Sequence, residues 1–366
     1  MVDPVNYVGS PINAFTLIKR LTYDLKEIET NIKVGIVNKC MLTEYINNVT
    51  LRDHDVMYPT QEDLTGAAIA LSRLQQTYQL ETDDLAEGKL KGVTYRLVFI
   101  NIRRRVVFVK HPVFQQLYKN FNLDYSTQRF VNVRSCYHVK VVNIIYYFRL
   151  SCQYLTGEHP FLRYAAIKME YLYRDPDIVM YYDVLSDNEI DFIQNLAKPN
   201  LQRATVGDES VSAHYRISKT AWLKDETSPV VARVSRRVAD FTNLDLNTSE
   251  DLQVANYGIG GHNVPHFDHS HESPFSSEEG NRIATVLFYM SDVAQGGATV
   301  FTELGLCVFP VKGAAVFWMN LHRSGAEDLA TRHAACPVLL GSKWGKTRYF
   351  QYSSRSLFIY LSYHKM

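Results

Sequence analysis

The stretch Tyr257-Gly-Ile-Gly-Gly-His-Asn-Val-Pro-His-Phe-Asp268 ends in His266-x-Asp268. Residues two apart on a strand point to the same face, so a single strand here offers one imidazole and one carboxylate to one metal ion. Two protein ligands hold an ion poorly, and a third is expected from far along the chain, on a neighbouring strand. His333, in Thr331-Arg-His-Ala-Ala-Cys336, is placed to supply it.

Two His and one carboxylate on one side of an ion leave the opposite side open, the pattern of non-haem Fe(II) oxygenases. Ten residues past His333 stands Lys343, in Gly341-Ser-Lys-Trp344. A cation aimed into the same pocket suits the far carboxylate of a dicarboxylic co-substrate whose other end chelates the metal. The chain has 12 His, and His262, His269, His271 and His322 crowd the same region. They stay open as alternative ligands, as does Zn(II) as the ion. The set of pair, distal His and following Lys points to chemistry more specifically than His-x-Asp alone.

Around these residues the text resembles one family. Asn256-Tyr-Gly-Ile-Gly-Gly261, Pro265-His-Phe-Asp268, Asn281-Arg-Ile-Ala-Thr285, Phe288-Tyr-Met-Ser-Asp292, Gly296-Gly-Ala-Thr-Val-Phe301, Ala315-Val-Phe-Trp318 and Thr331-Arg-His-Ala-Ala-Cys-Pro-Val338 are similar to the catalytic domain of collagen prolyl 4-hydroxylase α subunits, nearly continuously from about 176 to 344. The resemblance implies an α+β chain: a C-terminal double-stranded β-helix (jelly-roll) dioxygenase domain preceded by a helical N-terminal domain. It also implies Fe(II), 2-oxoglutarate and ascorbate, and 4-hydroxylation of Pro in collagen-like X-Pro-Gly peptides. By position it implies His266, Asp268 and His333 as iron ligands and Lys343 as the partner of the 2-oxoglutarate carboxylate. Tyr257 and Thr299 then line that co-substrate pocket, and Arg282 lies near the peptide. The family works in the lumen of the endoplasmic reticulum with protein disulfide isomerase as its β subunit. Asn48-Val-Thr50 and Asn247-Thr-Ser249 are glycosylation sequons that matter only there.

A chain of 366 residues accommodates two domains or one with a large extension. It is 46% hydrophobic and 21% charged, a globular composition. A net charge of +1 points neither to nucleic acid nor to a polybasic membrane contact, and no apolar run reaches spanning length. No signal peptide precedes Asp3, so the bare text reads as cytosolic and only the resemblance points to the lumen. The five Cys lie at 40, 136, 152, 307 and 336 without zinc-like spacing,.

Gly9 to Glu29 is predicted helical, with Ser10 as cap and Pro11 in the first turn. Thr60-x-x-Asp63 reads as a capping box before Leu64, Ala67, Leu71, Leu74 and Tyr78. These amphipathic helices need a partner surface, either within the chain or in a second copy. Val8 to Phe15 and Gly66 to Gln75 resemble the family's N-terminal dimerisation domain. We therefore divide the chain into a helical region, 1–93, a divergent linker in place of the family's peptide-binding repeat domain, 94–155, and the catalytic domain, 156–366. Cys136 and Cys152 have nearly the spacing of a family disulfide pair.

Strands are predicted at Ile178–Val184, Tyr215–Trp222, Leu252–Tyr257, Ile283–Met290, Ala298–Phe301, Ala315–Met319 and Ala334–Leu340. Helices are predicted after Ser186-x-x-Glu189 and from Ser228-Pro229 through Phe241. The run Gly258 to Gly261 precedes no helix, so it is a permissive backbone rather than a phosphate loop. Beyond Trp344 the chain departs from the family. Gln351 stands where the family has a substrate-side His, and the Cys that would pair with Cys336 is absent. Three rival functions stay open: the same site acting on another prolyl peptide, a non-catalytic or weakly active binding subunit, and a zinc hydrolase.

Overall fold

The computed structural model describes residues 11–24, 59–78, 80, 100–102, 105–107, 152–156, 160–204, 215–269 and 281–351. Cys40, Cys136 and His271 fall outside them. Helix α1 (Pro11–Lys19) opens on the expected proline and continues as a π-helical turn to Asp24. Helix α2 (Gln61–Tyr78) starts on the expected box: the Asp63 amide donates to Thr60 Oγ1 at 3.2 Å, and its carboxylate accepts from the Thr60 amide at 2.9 Å.

A short hairpin, β1 (Ile100–Ile102) and β2 (Arg105–Val107), forms a two-stranded sheet of its own. In order come β3 (Cys152–Leu155), α3 (Pro160–Tyr164), β4 (Ile167–Tyr173), β5 (Ile178–Tyr182), α4 (Asp187–Ala197), β6 (Gln202–Arg203), β7 (Arg216–Ile217), β8 (Lys219–Leu223) and α5 (Pro229–Thr242). Next are β9 (Leu252–Tyr257), β10 (His262–His266), β11 (Arg282–Tyr289), β12 (Gln295–Gly296), β13 (Thr299–Phe301), β14 (Leu306–Val308), β15 (Ala315–Met319), β16 (His333–Ala335), β17 (Val338–Leu340) and β18 (Lys343–Gln351).

A nine-stranded sheet runs β3-β4-β5-β15-β11-β18-β9-β8-β6, and a five-stranded sheet runs β14-β13-β16-β10-β7. Every strand pair is antiparallel. The pleat divides the large sheet's side chains by parity. Ala284, Val286 and Phe288 of β11 and Ala315 of β15 join Ile190, Ile193, Val231, Val234, Val238 and Phe241 of α4 and α5 in one core. Their neighbours Tyr289, Val316 and Trp318 face the other way and pack with Phe301 and Val308 of the small sheet. The candidate metal-binding groups lie on this second side. The helix layer is clamped by Glu189, which closes the capping box at Ser186 and accepts two bonds of 2.9 Å from Arg237 on α5.

Helix α2 lies against this β structure. Leu74 and Tyr78 bury themselves with Leu80 and Leu339, and the Tyr78 hydroxyl donates to Pro337 O at 2.6 Å. Gly260 has φ +73°, and a Cβ there would sit 2.7 Å from the Ala70 carbonyl oxygen. The glycine run thus permits a close approach of helix to loop. The apolar face of α2 is covered by its own chain.

Two predicted strands are each two strands. Tyr215–Trp222 divides at Ser218: β7 belongs to the small sheet and β8 to the large one. The Ser218 carbonyl accepts from the Ala204 amide at 3.0 Å, one step further along the register of β8 with β6. Ala334–Leu340 breaks at Cys336-Pro337, where proline cannot donate to a ladder, and β17 pairs with β12 instead. The cysteines differ from expectation as well. Cys152 is exposed, Cys307 is free, and Cys336 is disulfide-bonded to neither of those two. No helix among the described residues is long and apolar enough to cross a membrane.

Candidate metal and co-substrate site

His266 ends β10 directly opposite His333 of β16. The register slips between Asn263 and His266, and Pro265 lies within the slip. This bulge turns His266 to the face that His333 occupies. The two rings lie 4.4 Å apart. Asp268 is not on the strand: β10 stops at His266, and the bend after it carries the carboxylate inward. Asp268 Oδ1 lies 3.6 Å from His266 Nε2, and Oδ2 lies 3.6 Å from His333 Nε2. Ligand atoms of all three residues fall within 4.8 Å of one another, and no other such group occurs among the described residues.

The donor set fits a divalent metal. His266 Nδ1 lies 2.8 Å from Val264 O, and His333 Nδ1 lies 3.0 Å from Thr331 O. Each backbone carbonyl requires a proton on Nδ1 and leaves the Nε2 lone pair facing the shared space. At His266 that lone pair accepts from the Asn263 amide at 3.2 Å. Burial holds His333 down to about 4, so the ring is neutral. Burial alone would raise the Asp268 carboxyl, but positive charge around it, from His333 and His266 when protonated and from Arg282, holds it well below the usual carboxylate range. The Thr285 hydroxyl donates to Asp268 Oδ2 at 2.7 Å. Trp318 packs edge-on against His333 at 4.8 Å, and Phe301 lies at 5.7 Å.

Lys343 opens β18, 2% exposed. Its Nζ lies 3.3 Å from Thr299 Oγ1, and the Tyr289 hydroxyl donates to that same oxygen at 2.9 Å. The Tyr257 and Tyr289 rings stand 5.7 and 5.5 Å from Nζ. Burial pushes Lys343 down to about 7. One long bond for three ammonium donors leaves the group short of acceptors, and a carboxylate oxygen would complete it. Tyr289 was missed in sequence reasoning, although it lies within the Phe288-Tyr motif.

Arg282 is not a free cation. Both its Nε and Nη2 reach the Glu250 carboxylate, the latter at 2.8 Å. Its guanidinium lies 3.9 Å over the Tyr349 ring. Gln351 also donates to Glu250, at 3.1 Å, so Gln351 contacts Arg282's partner. The alternative histidines lie elsewhere. His262 is buried with Nδ1 at 2.9 Å from Gly260 O. His269 packs on Phe267, and His322 lies 3.8 Å from Asp328.

Residues 1–92 match the family described as Prolyl 4-Hydroxylase alpha-subunit, N-terminal region, and residues 252–351 match the 2OG-Fe(II) oxygenase superfamily. Prolyl 4-hydroxylase subunit alpha-2 of Caenorhabditis elegans is 38% identical over 435 positions, covering 92% of this chain and 79% of that one. Subunit alpha-1 of Homo sapiens is 36% identical over 446, covering 93% and 82%. Both alignments are longer than this chain, so stretches of those relatives have no counterpart here. A viral collagen prolyl hydroxylase from Paramecium Bursaria Chlorella virus-1, solved with 2OG, aligns with 48% of this chain and 96% of its own at 25% identity and a TM-score of 0.42. Two relatives above one-third identity, each more than three-quarters covered, decide the matter: the chain belongs to the prolyl 4-hydroxylase α-subunit family.

Proposed function

We propose that this chain is a procollagen-proline dioxygenase. It hydroxylates prolyl residues of collagen-like X-Pro-Gly peptides at C4 and couples this to the oxidative decarboxylation of 2-oxoglutarate to succinate and CO2. The observation that carries the reading is the convergence of half-buried His266 with buried Asp268 and His333, on the side of the sheet that also holds the buried Lys343. His266, Asp268 and His333 hold Fe(II). When bound, the ion supplies the activation of O2 that no side chain performs alone, with ascorbate as the reductant that keeps it ferrous.

The chain's own side chains do the rest. Lys343 and Thr299 take the far carboxylate of 2-oxoglutarate, with Tyr289 orienting Thr299 and Tyr257 walling the pocket. Trp318, Phe301 and Tyr289 keep water from the reacting atoms. Arg282, held by Glu250, stands on the peptide side. The two facing sheets are read as a double-stranded β-helix.

In this reading residues 1–93 form the N-terminal region, 94–155 a short replacement of the peptide-binding repeat domain, and 156–366 the catalytic domain. Work in the endoplasmic reticulum lumen, with protein disulfide isomerase as β subunit, follows from family membership. Homodimerisation through the N-terminal region uses surfaces other than the Ala70-Leu74-Tyr78 face, which the chain itself covers.

The test is to supply the full chain, co-expressed with the isomerase, with Fe(II), ascorbate, 2-oxoglutarate and a (Pro-Pro-Gly)-type peptide. The readouts are succinate and 4-hydroxyproline. Succinate without iron dependence, or no 4-hydroxyproline above a no-enzyme control, would defeat the reading.

A further inference from the structure

Asp268 is held by a chain of hydrogen bonds whose direction the chemistry fixes. The Thr285 hydroxyl on β11 lies 2.7 Å from Asp268 Oδ2, and Asn320 Nδ2, just past β15, lies 2.9 Å from the same hydroxyl oxygen. An amide nitrogen only donates and an ionised carboxylate only accepts. The threonine oxygen therefore receives from Asn320, and its single hydrogen has one destination, Asp268 Oδ2. Turning the Asn320 amide over would face two acceptors with that one hydrogen. Thr285 is 1% exposed and Asn320 0%, so no solvent competes.

Asn320 is itself pinned. Its backbone amide donates to Ile283 O at 2.8 Å, and its carbonyl accepts from the Asp328 amide at 3.0 Å. Asp328 caps the turn Leu329–Thr331, and the carbonyl that ends this turn accepts from His333 Nδ1. One residue thus connects to two of the three ligand positions. It does so with its own Oδ1 buried and without a hydrogen-bond partner. A core optimised for stability alone would place an apolar residue there. An asparagine whose donor end is used and whose acceptor end is not is kept for its donor.

We infer that Thr285 and Asn320 are positioning residues that make Asp268 a one-oxygen metal ligand, with Oδ2 tied to Thr285 and Oδ1 left for the ion. The inference rests on the assignment of His266, Asp268 and His333 as the metal ligands. A carboxylate held this way takes one coordination position and keeps the opposite side clear for 2-oxoglutarate and O2. A released carboxylate can rotate and take two.

The full chain with its isomerase is titrated with Co(II), which does not turn over with O2 and whose visible bands report coordination number. Thr285→Val keeps shape and removes the hydroxyl. Thr285→Ser keeps the hydroxyl. Asn320→Asp keeps shape and turns the donor into an acceptor, which recruits the threonine hydrogen away from Asp268. Asp268→Ala serves as the control. Loss of an outer-shell partner weakens metal binding about 10- to 100-fold. Thr285→Val and Asn320→Asp should fall in that range with altered Co(II) bands, while Thr285→Ser stays within about threefold, a rescue that a packing role would not give. Thermal melts of the metal-free proteins separate misfolding from lost affinity, and Thr285→Val stands as the test if Asn320→Asp does not fold. Wild-type affinity and spectra in Thr285→Val, with binding lost in Asp268→Ala, would overturn the relay alone. Unchanged Co(II) affinity in Asp268→Ala would overturn the ligand assignment and the relay with it.

Discussion

Replacing Lys343 by methionine tests the co-substrate pocket most directly. Methionine keeps the length and apolar stem and removes the amine. In the free site, Nζ has one hydrogen bond, 3.3 Å long, to a neutral hydroxyl. Its aromatic neighbours stand 5.5 and 5.7 Å away, near the outer limit for a useful cation–π contact. The carboxylate of 2-oxoglutarate is then the strong partner, and a hydrogen bond to a charged group is worth about 1.5–3 kcal/mol. At 1.4 kcal/mol per tenfold, Lys343→Met should raise the 2-oxoglutarate requirement roughly 10- to 150-fold. Iron binding should be untouched.

The same geometry sets a pH dependence. Burial lowers Lys343 to about 7, and a bound carboxylate favours the charged amine and raises it again. Binding above pH 7 must therefore take up a proton. Affinity should be flat below about 7 and weaken by up to tenfold per unit above it, until the bound-state value is passed. Lys343→Met should lose this slope. The assay is succinate formation against 2-oxoglutarate concentration across that pH range, with peptide saturating. An unchanged requirement in Lys343→Met, or a wild-type requirement that ignores pH, would remove Lys343 from the pocket.

His266→Ala, Asp268→Ala and His333→Ala should each abolish Fe(II)-dependent succinate formation, and full activity in any one would mean the ligand set is wrong. Lys346 is 0% exposed, with Nζ unpartnered and 4.5 Å from the Phe288 ring. Lys346→Met should raise stability by about 1–3 kcal/mol, read as a higher denaturation midpoint, and a lower midpoint would show that the amine has a partner. Gln351→His should raise the ratio of 4-hydroxyproline to succinate, because an uncharged amide stands on the Arg282–Glu250 pair where the family has imidazole. Tight coupling already present in the unmodified chain would sink that idea.

How much of this was legible in the sequence depends on whether the information was local. The caps at Ser186 and Thr60 are written within four residues, and the structure has both. Ile283–Met290 and Ala315–Met319 are short apolar runs rich in β-branched and aromatic residues, a strand signal that needs no partner to be read. Ser218 carries no such signal. The chain changes sheets there because β7 pairs with β10 while β8 pairs with β6 and β9, choices made by partners elsewhere in the chain. Asp268 was reached by the wrong geometry. His-x-Asp on a straight strand would put both groups on one face, whereas the chain uses a bulge before the His and a bend after it. Glu250, Thr285 and Asn320 were missed because each acts through a residue between 17 and 35 positions away, and hydroxyl, amide and carboxylate side chains at such distances look like any others.

Strand β18 shows why parity decides more than composition. Its text, Lys343-Trp-Gly-Lys-Thr-Arg348, carries three cations in six residues, a composition that by itself suits a solvated edge. It is instead a central strand, between β11 and β9, and all three cations are buried. Lys343 points to the side that holds Thr299 and Tyr289. Lys346 and Arg348, of opposite parity, point to the helix layer. There Arg348 finds Asp225 at 2.7 Å, and Lys346 finds only the Phe288 ring. Burial lowers the affinity of both lysines for a proton, but only Lys343 lies on the face of the sheet that carries Thr299 and Tyr289. A buried lysine is therefore a candidate binding group only when its face of the strand opens onto a site. That face is set by the register of β18 with β11, which begins at Tyr289 opposite Gly345. Slipping that register by one residue would place Lys346 toward Thr299 and leave Lys343 in the helix core.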